Sequence, residues 1–469
     1  MKPFTVKKLF SFLKQSAIAL DTGIERFPEA LLERNITGVS TDSRTIHGGE
    51  VFFAVRGEKF DGAEHVLGAF ESGALCAVVN EDSMKEEFDK LAVIPVKDTI
   101  RALGEAASDY RSSFKATVVA VTGTTGKTTC REMMLAVLAT RFHVHGTKGN
   151  YNNHIGMPLT VFGLDDSHEC AVFELGMSAP GEIEYLAGIA KPDVGVILNV
   201  GPAHMELFSS VKFVADAKME LLDALDSEGT AVINGDDEHL KAGEFRSKSR
   251  LVRFGINRPW DYWAENLVVH RDGCYSFDVE GHNVKLNVPG LHTVYNALAA
   301  YTTGMLLGVA SSEAVKALEA FTAPDKRMQI VVKNGISFIN DSYNANPMSM
   351  KSAAEVLNNV SIPDGGRKIA VLGDMLELGN FSIKAHLNIG KVFAALSLEW
   401  LCFVGDNTAH YEQGALEGGF TSEKIRCFPD VKAASEFIND IKRPGDVILV
   451  KGSRAVGMEN ILASTGLQP

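Results

Sequence analysis

Along the chain, short uninterrupted apolar runs recur. Each is stopped by a glycine or polar residue and followed by a stretch with helical spacing. The runs are TVVAVTG (117–123), CAVFELG (170–176), DVGVILNV (193–200) and TAVINGD (230–236), then KIAVLGD (368–374), LCFVGD (401–406) and DVILVKG (446–452). Unbroken apolar runs of this length predict strands buried on both faces, as in parallel sheets covered by helices. Their alternation with helices predicts βαβ units and an α/β fold class. Ligands of such sheets gather beyond the carboxyl ends of the strands, so chemistry is expected at the polar residues that stop the runs.

Two breaks divide the series. One falls near residue 98, ahead of the helix-like DTIRALGEAASDYR; the other falls at FTAPDKRM (321–328), where Pro324 and a charged cluster intervene. The expected domains are 1–97, 98–322 and 323–469, in keeping with 469 residues at ~150 per domain. The composition, 45% hydrophobic and 22% charged, is that of a soluble globular protein with ample core. No apolar stretch approaches the ~20 residues of a membrane span. The opening MKPFTVKKLFSFLKQSAIAL imitates a signal peptide, but Lys14 and Gln15 interrupt its apolar part, so an amphipathic helix is expected. The six cysteines are scattered without a CxxC, which argues against a zinc site or disulfide framework and points to a reducing cytoplasm. A formal charge of −13 argues against nucleic-acid binding and leaves a small anionic substrate open.

At the end of the first strong run stands GTTGKTT. The common phosphate-loop pattern GxxxxGK[ST] would need glycine where Val121 stands; here Gly123, Thr124, Thr125 and Gly126 precede Lys127, Thr128 and Thr129. The chemistry survives the shortening. Glycines let backbone N–H groups converge on phosphate oxygens, Lys127 supplies a point charge, and the Thr128 hydroxyl offers an oxygen to Mg²⁺. The bland alternative is an ordinary strand-to-helix turn. A buried strand before it and the helical CREMMLAVLAT after it favour phosphate binding.

Glu174 ends a neighbouring run at the same sheet edge; alone, it fits a capping carboxylate as well as a ligand. His204, in NVGPAHMELF, follows another run, and a lone loop histidine is more often solvated than functional. Together, beside a nucleotide loop, the two favour a metal site. Lys218 falls on the apolar stripe of KFVADAKMELLDAL with Val214, Leu221, Leu222 and Leu225. Two readings stand for it: an ammonium that snorkels to solvent, or one that faces a polar cavity near the metal.

TGTTGKTT, FELGMS, the His204 loop, ADAKMELL, GLHTVYNALAA and DSYNANPMSM, in this order, resemble the Mur ligases of bacterial peptidoglycan synthesis. The shortened, threonine-rich loop is that family's form. GVSTDSRTIHGGEVFFAVRGEKFDG (38–62), KGNYNNHIGMPLT (148–160) and DSYNANPMSM (341–350) are most similar to the branch that adds D-alanyl-D-alanine. The resemblance implies three domains: a small α/β N-terminal domain for the UDP-substrate, a central P-loop-type, mostly parallel sheet with helices on both faces for ATP, and a C-terminal Rossmann-like domain. It implies a cytoplasmic, monomeric ligase for cell-wall biogenesis, and hence for cell shape and division, using ATP and Mg²⁺. The reaction implied joins D-alanyl-D-alanine to UDP-N-acetylmuramoyl-tripeptide through an acyl phosphate.

Carried over by motif, Lys127 would neutralise phosphate charge, Thr128 and Glu174 would bind one Mg²⁺, and His204 a second. Lys218 matches the lysine that the family carbamylates into an anionic metal ligand. Asn296 matches an adenine contact; Arg327, Asp341 and Tyr343 match contacts to the nucleotide from the last domain. Without the family, Asn296 is a helix-start polar residue, Arg327 a linker charge, Asp341 a turn former and Tyr343 packing. Thr41, Asp42, Ser43 and Arg44 match the TDSR stretch that holds uridine diphosphate, where a polar turn serves nearly as well. Asn152 and Asn153 match contacts to the muramoyl-peptide. Lys451, Ser453 and Arg454 stand at a strand end where dipeptide or phosphate would be held. The rivals are the ligase that adds the third amino acid, whose D-N-P-R type motif is missing, and a folylpolyglutamate synthetase, which typically lacks a TDSR domain. A regulatory GTPase would want an N-K-x-D motif, and no Asn-Lys pair occurs. A non-catalytic nucleotide-binding scaffold would have no use for Glu174, His204 and Lys218 together.

Overall fold

The computed structural model describes residues 1–14, 16, 24–57, 60–257 and 259–466. Its largest sheet has seven strands in the order Tyr262–Trp263, Arg250–Gly255, Thr230–Asn234, Val194–Ile197, Thr117–Thr122, Cys170–Glu174 and Val144–Gly146. Every neighbouring pair is parallel. The unbroken apolar runs follow from how this sheet is covered. Val119 and Val121 pack into one core with Cys130, Met133 and Val137 of the helix Lys127–Leu138 and Ala297 of the helix Leu291–Leu306. Val118 and Ala120 pack into another with Leu103, Ile183 and Leu221 from the helices Thr99–Arg111, Glu182–Ala190 and Val211–Asp223. With both faces buried, no polar alternation can develop.

The strand order reverses at Thr117–Thr122. The chain first fills the side of Cys170–Glu174, then crosses to Val194–Ile197 and onward. Such a switch point opens a crevice at the carboxyl edge, and the threonine-rich loop sits in it. The edge strand Val144–Gly146 and the next-to-edge strand Arg250–Gly255 escaped the apolar pattern, one because it has only three residues, the other because Arg250 and Arg253 interrupt it.

A second sheet has the order Gln329–Lys333, Ile336–Asp341, Val447–Lys451, Lys368–Gly373, Trp400–Val404 and Ile425–Phe428, antiparallel only at the first pair. Its last-entered strand lies between its second and third in chain order, a winding that departs from the 3-2-1-4-5-6 order of the Rossmann fold. A third, parallel sheet is built from Val39–Ser40, Val51–Phe53, Cys76–Asn80 and Val93–Val96. The helix Val6–Phe12 buries Val6, Leu9, Phe10 and Phe12. The helix gives way to a turn at Leu13 and Lys14, and most of the remaining stretch expected as helix, residues 15 and 17–20, lies outside the described residues. No helix among the described residues is long and apolar enough to cross a membrane.

The second sheet docks its carboxyl edge against the threonine-rich loop. Met348, on the helix Pro347–Asn359, places its sulfur 3.4 Å from the Thr125 hydroxyl. The same side chain fills the space beside Gly201, where a Cβ would stand 2.6 Å from Met348 Cε.

Candidate active site

Between the two sheets lies a cavity of about 510 Å³. Thr124 to Thr129, Asn152, Asn153, Glu174, His204, Arg327, Asp341, Tyr343 and Lys451 all line it. Residues from three widely separated stretches thus meet at one place, beyond the carboxyl ends of both sheets.

The loop is held from two sides. Thr124 N donates to Asn199 O at 3.1 Å and Thr125 N to Asn199 Oδ1 at 2.9 Å, tying it to the neighbouring strand end. Gly126, at φ +82, begins the helix Lys127–Leu138 in the left-handed region, where glycine carries no steric penalty. A Cβ there would also stand 2.5 Å from Asn296 Oδ1, so two separate constraints select glycine. Lys127 folds back, its Nζ donating to Gly123 O at 2.9 Å. Burial pushes the Lys127 ammonium below its usual pKa, Glu174 opposes that, and Arg327 adds to it.

Glu174 is a hub inside one domain. Its Oε2 accepts from the Thr128 hydroxyl at 3.0 Å and from Arg131 Nη1 at 2.9 Å, while Oε1 accepts from Asn152 Nδ2 at 2.7 Å. The Arg131 and Glu174 side chains are only 2% and 3% exposed, so the ion pair is desolvated and geometrically fixed. Arg131 also donates to Gly149 O at 2.9 Å, tying the 148–153 loop to the same carboxylate. Asn153 serves its own chain, its Oδ1 accepting from Ile155 N and Gly156 N.

His204 is built differently. It has φ +52, and its Nδ1 lies 2.8 Å from Oε2 of Glu377, itself at φ +62. Left-handed backbone costs a residue with a β-carbon roughly 1 kcal/mol, so both loops are held in place by their surroundings. The imidazole holds the Glu377 carboxyl below the usual range, ahead of the opposing effect of burial.

Lys218 does not snorkel. It is 2% exposed on the buried face of the helix Val211–Asp223, with no hydrogen bond or ion pair among the described residues. Burial, with Lys127 adding to it, drives its pKa well below the usual value, which favours a neutral, nucleophilic amine. It lies outside the cavity wall.

His292 lines the cavity and Asn296 lies behind it, against Gly126; His292 Nδ1 and Asn296 Nδ2 are buried without a hydrogen-bond partner. They are four residues apart, hence on one face of the helix Leu291–Leu306. Burial lowers the His292 pKa to about 4. Orphaned buried polar atoms of this kind fit a ligand that supplies the missing partners, as a heteroaromatic base does. Arg327 stacks on Tyr343, its guanidinium 3.8 Å from the ring centre, between Lys326 at φ +59 and Met328 at φ +52. Asp341 accepts from Met328 N at 3.1 Å and pairs with the buried Lys451.

Ser453 is buried away from the cavity, where its hydroxyl accepts from Leu376 N at 2.9 Å. Thr41, Asp42, Ser43 and Arg44 form a turn far along the chain that does not line this cavity. Asp42 accepts from Arg44 N at 3.0 Å and pairs with the Arg44 guanidinium at 2.7 Å, which holds the carboxyl down to about 2.

The donor set suits magnesium. The Thr128 hydroxyl and Glu174 carboxylate are hard oxygens in mutual contact, and His204 adds an imidazole. Among the described residues no group of three or more His, Cys, Asp or Glu forms a metal cage of its own. Mg²⁺ typically takes one or two carboxylates and completes its shell with water and substrate phosphates.

Arg131, His292 and Glu377 escaped the sequence reading. Arg131 lies three residues after Thr128 and His292 four before Asn296, helical spacings that would have revealed both. Nothing local marks Glu377.

Comparison with known proteins gives a consistent result. Three family models match: the Mur ligase family catalytic domain over residues 35–111, the Mur ligase middle domain over 121–304, and the Mur ligase glutamate ligase domain over 326–454. The UDP-N-acetylmuramoyl-tripeptide--D-alanyl-D-alanine ligase of Bacillus subtilis is 36% identical, covering 91% of this chain and 92% of its own. The ligase of that name from Escherichia coli is 33% identical over 91% of this chain and 93% of its own. The crystal structure of MurF from Acinetobacter baumannii superposes with a TM-score of 0.88 at 30% identity, covering 99% and 98% of the two chains. That of MurF ligase from Thermotoga maritima, in complex with ADP, gives 0.79 at 28% identity over 91% and 96%.

Proposed function

The chain belongs to the Mur ligase family, and on that premise we propose that it is an ATP-dependent, ADP-forming ligase joining D-alanyl-D-alanine to UDP-N-acetylmuramoyl-tripeptide in peptidoglycan synthesis. The observation that carries this reading is the coincidence of two facts. Relatives of that activity align along nine-tenths of the chain, and the cavity unites the phosphate loop with Glu174, His204, Arg327 and Asp341. The enzyme adding the third amino acid and the folate-type ligase are not favoured.

The division into 1–97, 98–322 and 323–469 is part of the proposal. Its support is that each of the three larger sheets falls within one of these segments. Cytoplasmic location and a monomeric state are likewise proposed, from composition and cysteine usage and by family resemblance.

A carboxylate is a poor electrophile at neutral pH. One of its oxygens attacks the γ-phosphorus of ATP, and the bond from that phosphorus to the ADP oxygen breaks. The amine of D-alanyl-D-alanine then attacks the acyl carbon, loses a proton, and expels inorganic phosphate. Bound Mg²⁺ supplies charge neutralisation on the phosphate oxygens. Lys127 places its ammonium beside the loop amides, where the triphosphate charge accumulates. Thr128 and Glu174 would hold one cation; His204, with a carbamylated Lys218, would hold another. Burial lowers the Lys218 pKa, a shift toward the neutral amine that would attack CO₂.

His292 and Asn296 would receive the adenine, and Arg327, Asp341 and Tyr343 the phosphates and ribose. Asn152, fixed to Glu174, and Asn153 would contact the muramoyl-peptide, and Lys451, tied to Asp341, would hold dipeptide or phosphate. Ser453 would act only through the backbone it supports. Thr41, Asp42, Ser43 and Arg44 are proposed for the uridine diphosphate end. Most of the barrier is met by positioning and charge.

A phosphate-release assay tests the reading. Release is expected only with ATP, UDP-N-acetylmuramoyl-tripeptide and D-alanyl-D-alanine together. Release driven by single amino acids or folates would overturn it.

A further inference from the structure

His204 and Glu377 belong to different segments. The first lies in the loop after the strand Val194–Ile197, the second in the loop between the strand Lys368–Gly373 and the helix Ser382–Ala394. Their contact is not a chance meeting of long side chains. The two loops also meet through backbone: Glu206 N donates to Glu377 O at 3.4 Å, and a Cβ on Gly379 would stand 3.0 Å from Glu206 Cα. Both residues hold left-handed backbone, which only a well-determined loop maintains in residues with a β-carbon. Both line the cavity.

A carboxylate only accepts hydrogen bonds at neutral pH, so the proton of the 2.8 Å contact resides on Nδ1 of His204. That selects one tautomer of the neutral ring and leaves Nε2 with its lone pair free. An imidazole that holds a cation usually has its other nitrogen fixed in this way by an outer partner, and loss of that partner weakens metal affinity by roughly 10- to 100-fold.

We infer that Glu377 is a positioning residue, delivered by docking of the C-terminal segment, that sets the tautomer and orientation of His204 for the second cation. The inference rests on the metal role proposed for His204. The second cation subsite is then complete only when the two sheets have come together, whereas the Glu174 subsite exists within one of them.

The experiment is a Mn²⁺ titration of the full chain with a non-hydrolysable ATP analogue, read by electron paramagnetic resonance. It needs no turnover, so a wrong dipeptide or peptide substrate would leave it readable. Glu377→Ala should weaken Mn²⁺ at the second site by about tenfold, and Glu377→Gln, which keeps an acceptor oxygen, by less than about threefold. The melting temperature should hold, because the side chain is 61% exposed. In the assay, the Mg²⁺ concentration for half-maximal rate should rise with the KM for D-alanyl-D-alanine unchanged. Mn²⁺ affinity of Glu377→Ala within twofold of the parent would overturn the inference. So would an undiminished effect of Glu377→Ala in a His204→Ala background, since that residue would then not act through His204.

Discussion

The halves of the cavity around Glu174 and His204 are built on opposite plans. Around Glu174 everything comes from the central sheet: Thr128, Arg131 and Asn152 converge on a carboxylate that is almost wholly buried. Around His204 the ring is 28% exposed, and its partner arrives from another sheet. The first half is preorganised by a desolvated ion pair. The second depends on two loops being held against each other. On the proposed function the difference would have a use: the Glu174 half would be ready for the nucleotide, and the His204 half would form only as the two sheets come together.

The contrast can be attacked first at its rigid end. Glu174→Ala should lower kcat/KM by about 10³-fold. It should also destabilise the protein by about 3 kcal/mol in urea unfolding, because the buried Arg131 would lose its desolvated partner and keep only the partly exposed Glu132 and Gly149 O. A loss of activity with unchanged stability would mean that the carboxylate is not the structural hub described. Lys218 comes next. Lys218→Ala should cost about 10²-fold in rate and recover part of it with added short carboxylates. Burial holds the folded Lys218 amine well below 10.5, so between that lowered value and 10.5 the unfolded chain binds the extra proton. Stability from this group therefore rises with pH across that window. In CO₂-free buffer, Lys218→Met should melt higher than the parent at pH 7, with the gap closing as pH approaches 10.5.

A smaller effect is expected at the base wall. Asn296→Ala should raise the KM for ATP about tenfold, the worth of one hydrogen bond, with kcat within threefold. Smallest is Arg44→Ala, expected to raise the KM for the UDP-substrate about threefold and leave that for ATP alone. A change in ATP affinity there would show that the N-terminal segment and the two halves are not separable.

Much of this fold could be read in advance, and for a physical reason. Val118 and Val119 enter different cores, so the strand must be apolar at every position, and the polar residue that stops it marks the carboxyl edge. Gly126, Lys127, Thr128 and Glu174 were visible by that logic. Lys218 was visible as an anomaly, but whether its ammonium reached water depended on what the helix Val211–Asp223 packs against. The partners of the site were harder. Arg131 resembles a surface charge until Glu174, 43 residues on, closes over it, and Asn152 turns to the same carboxylate. Glu377 meets His204 only through docking of two sheets, which no local spacing encodes. Asp42 went the other way: its bonds to Arg44 are those of the polar turn that the residues alone suggested.

The contact of Gly126 with Asn296 bears on inhibition. A compound that competes with the purine by gripping Asn296 would lean on a side chain that also fills the floor under the loop. Shrinking that side chain to evade the drug would open a void beneath the phosphates, and enlarging it would collide with the glycine. A change at either position would therefore have to be matched at the other.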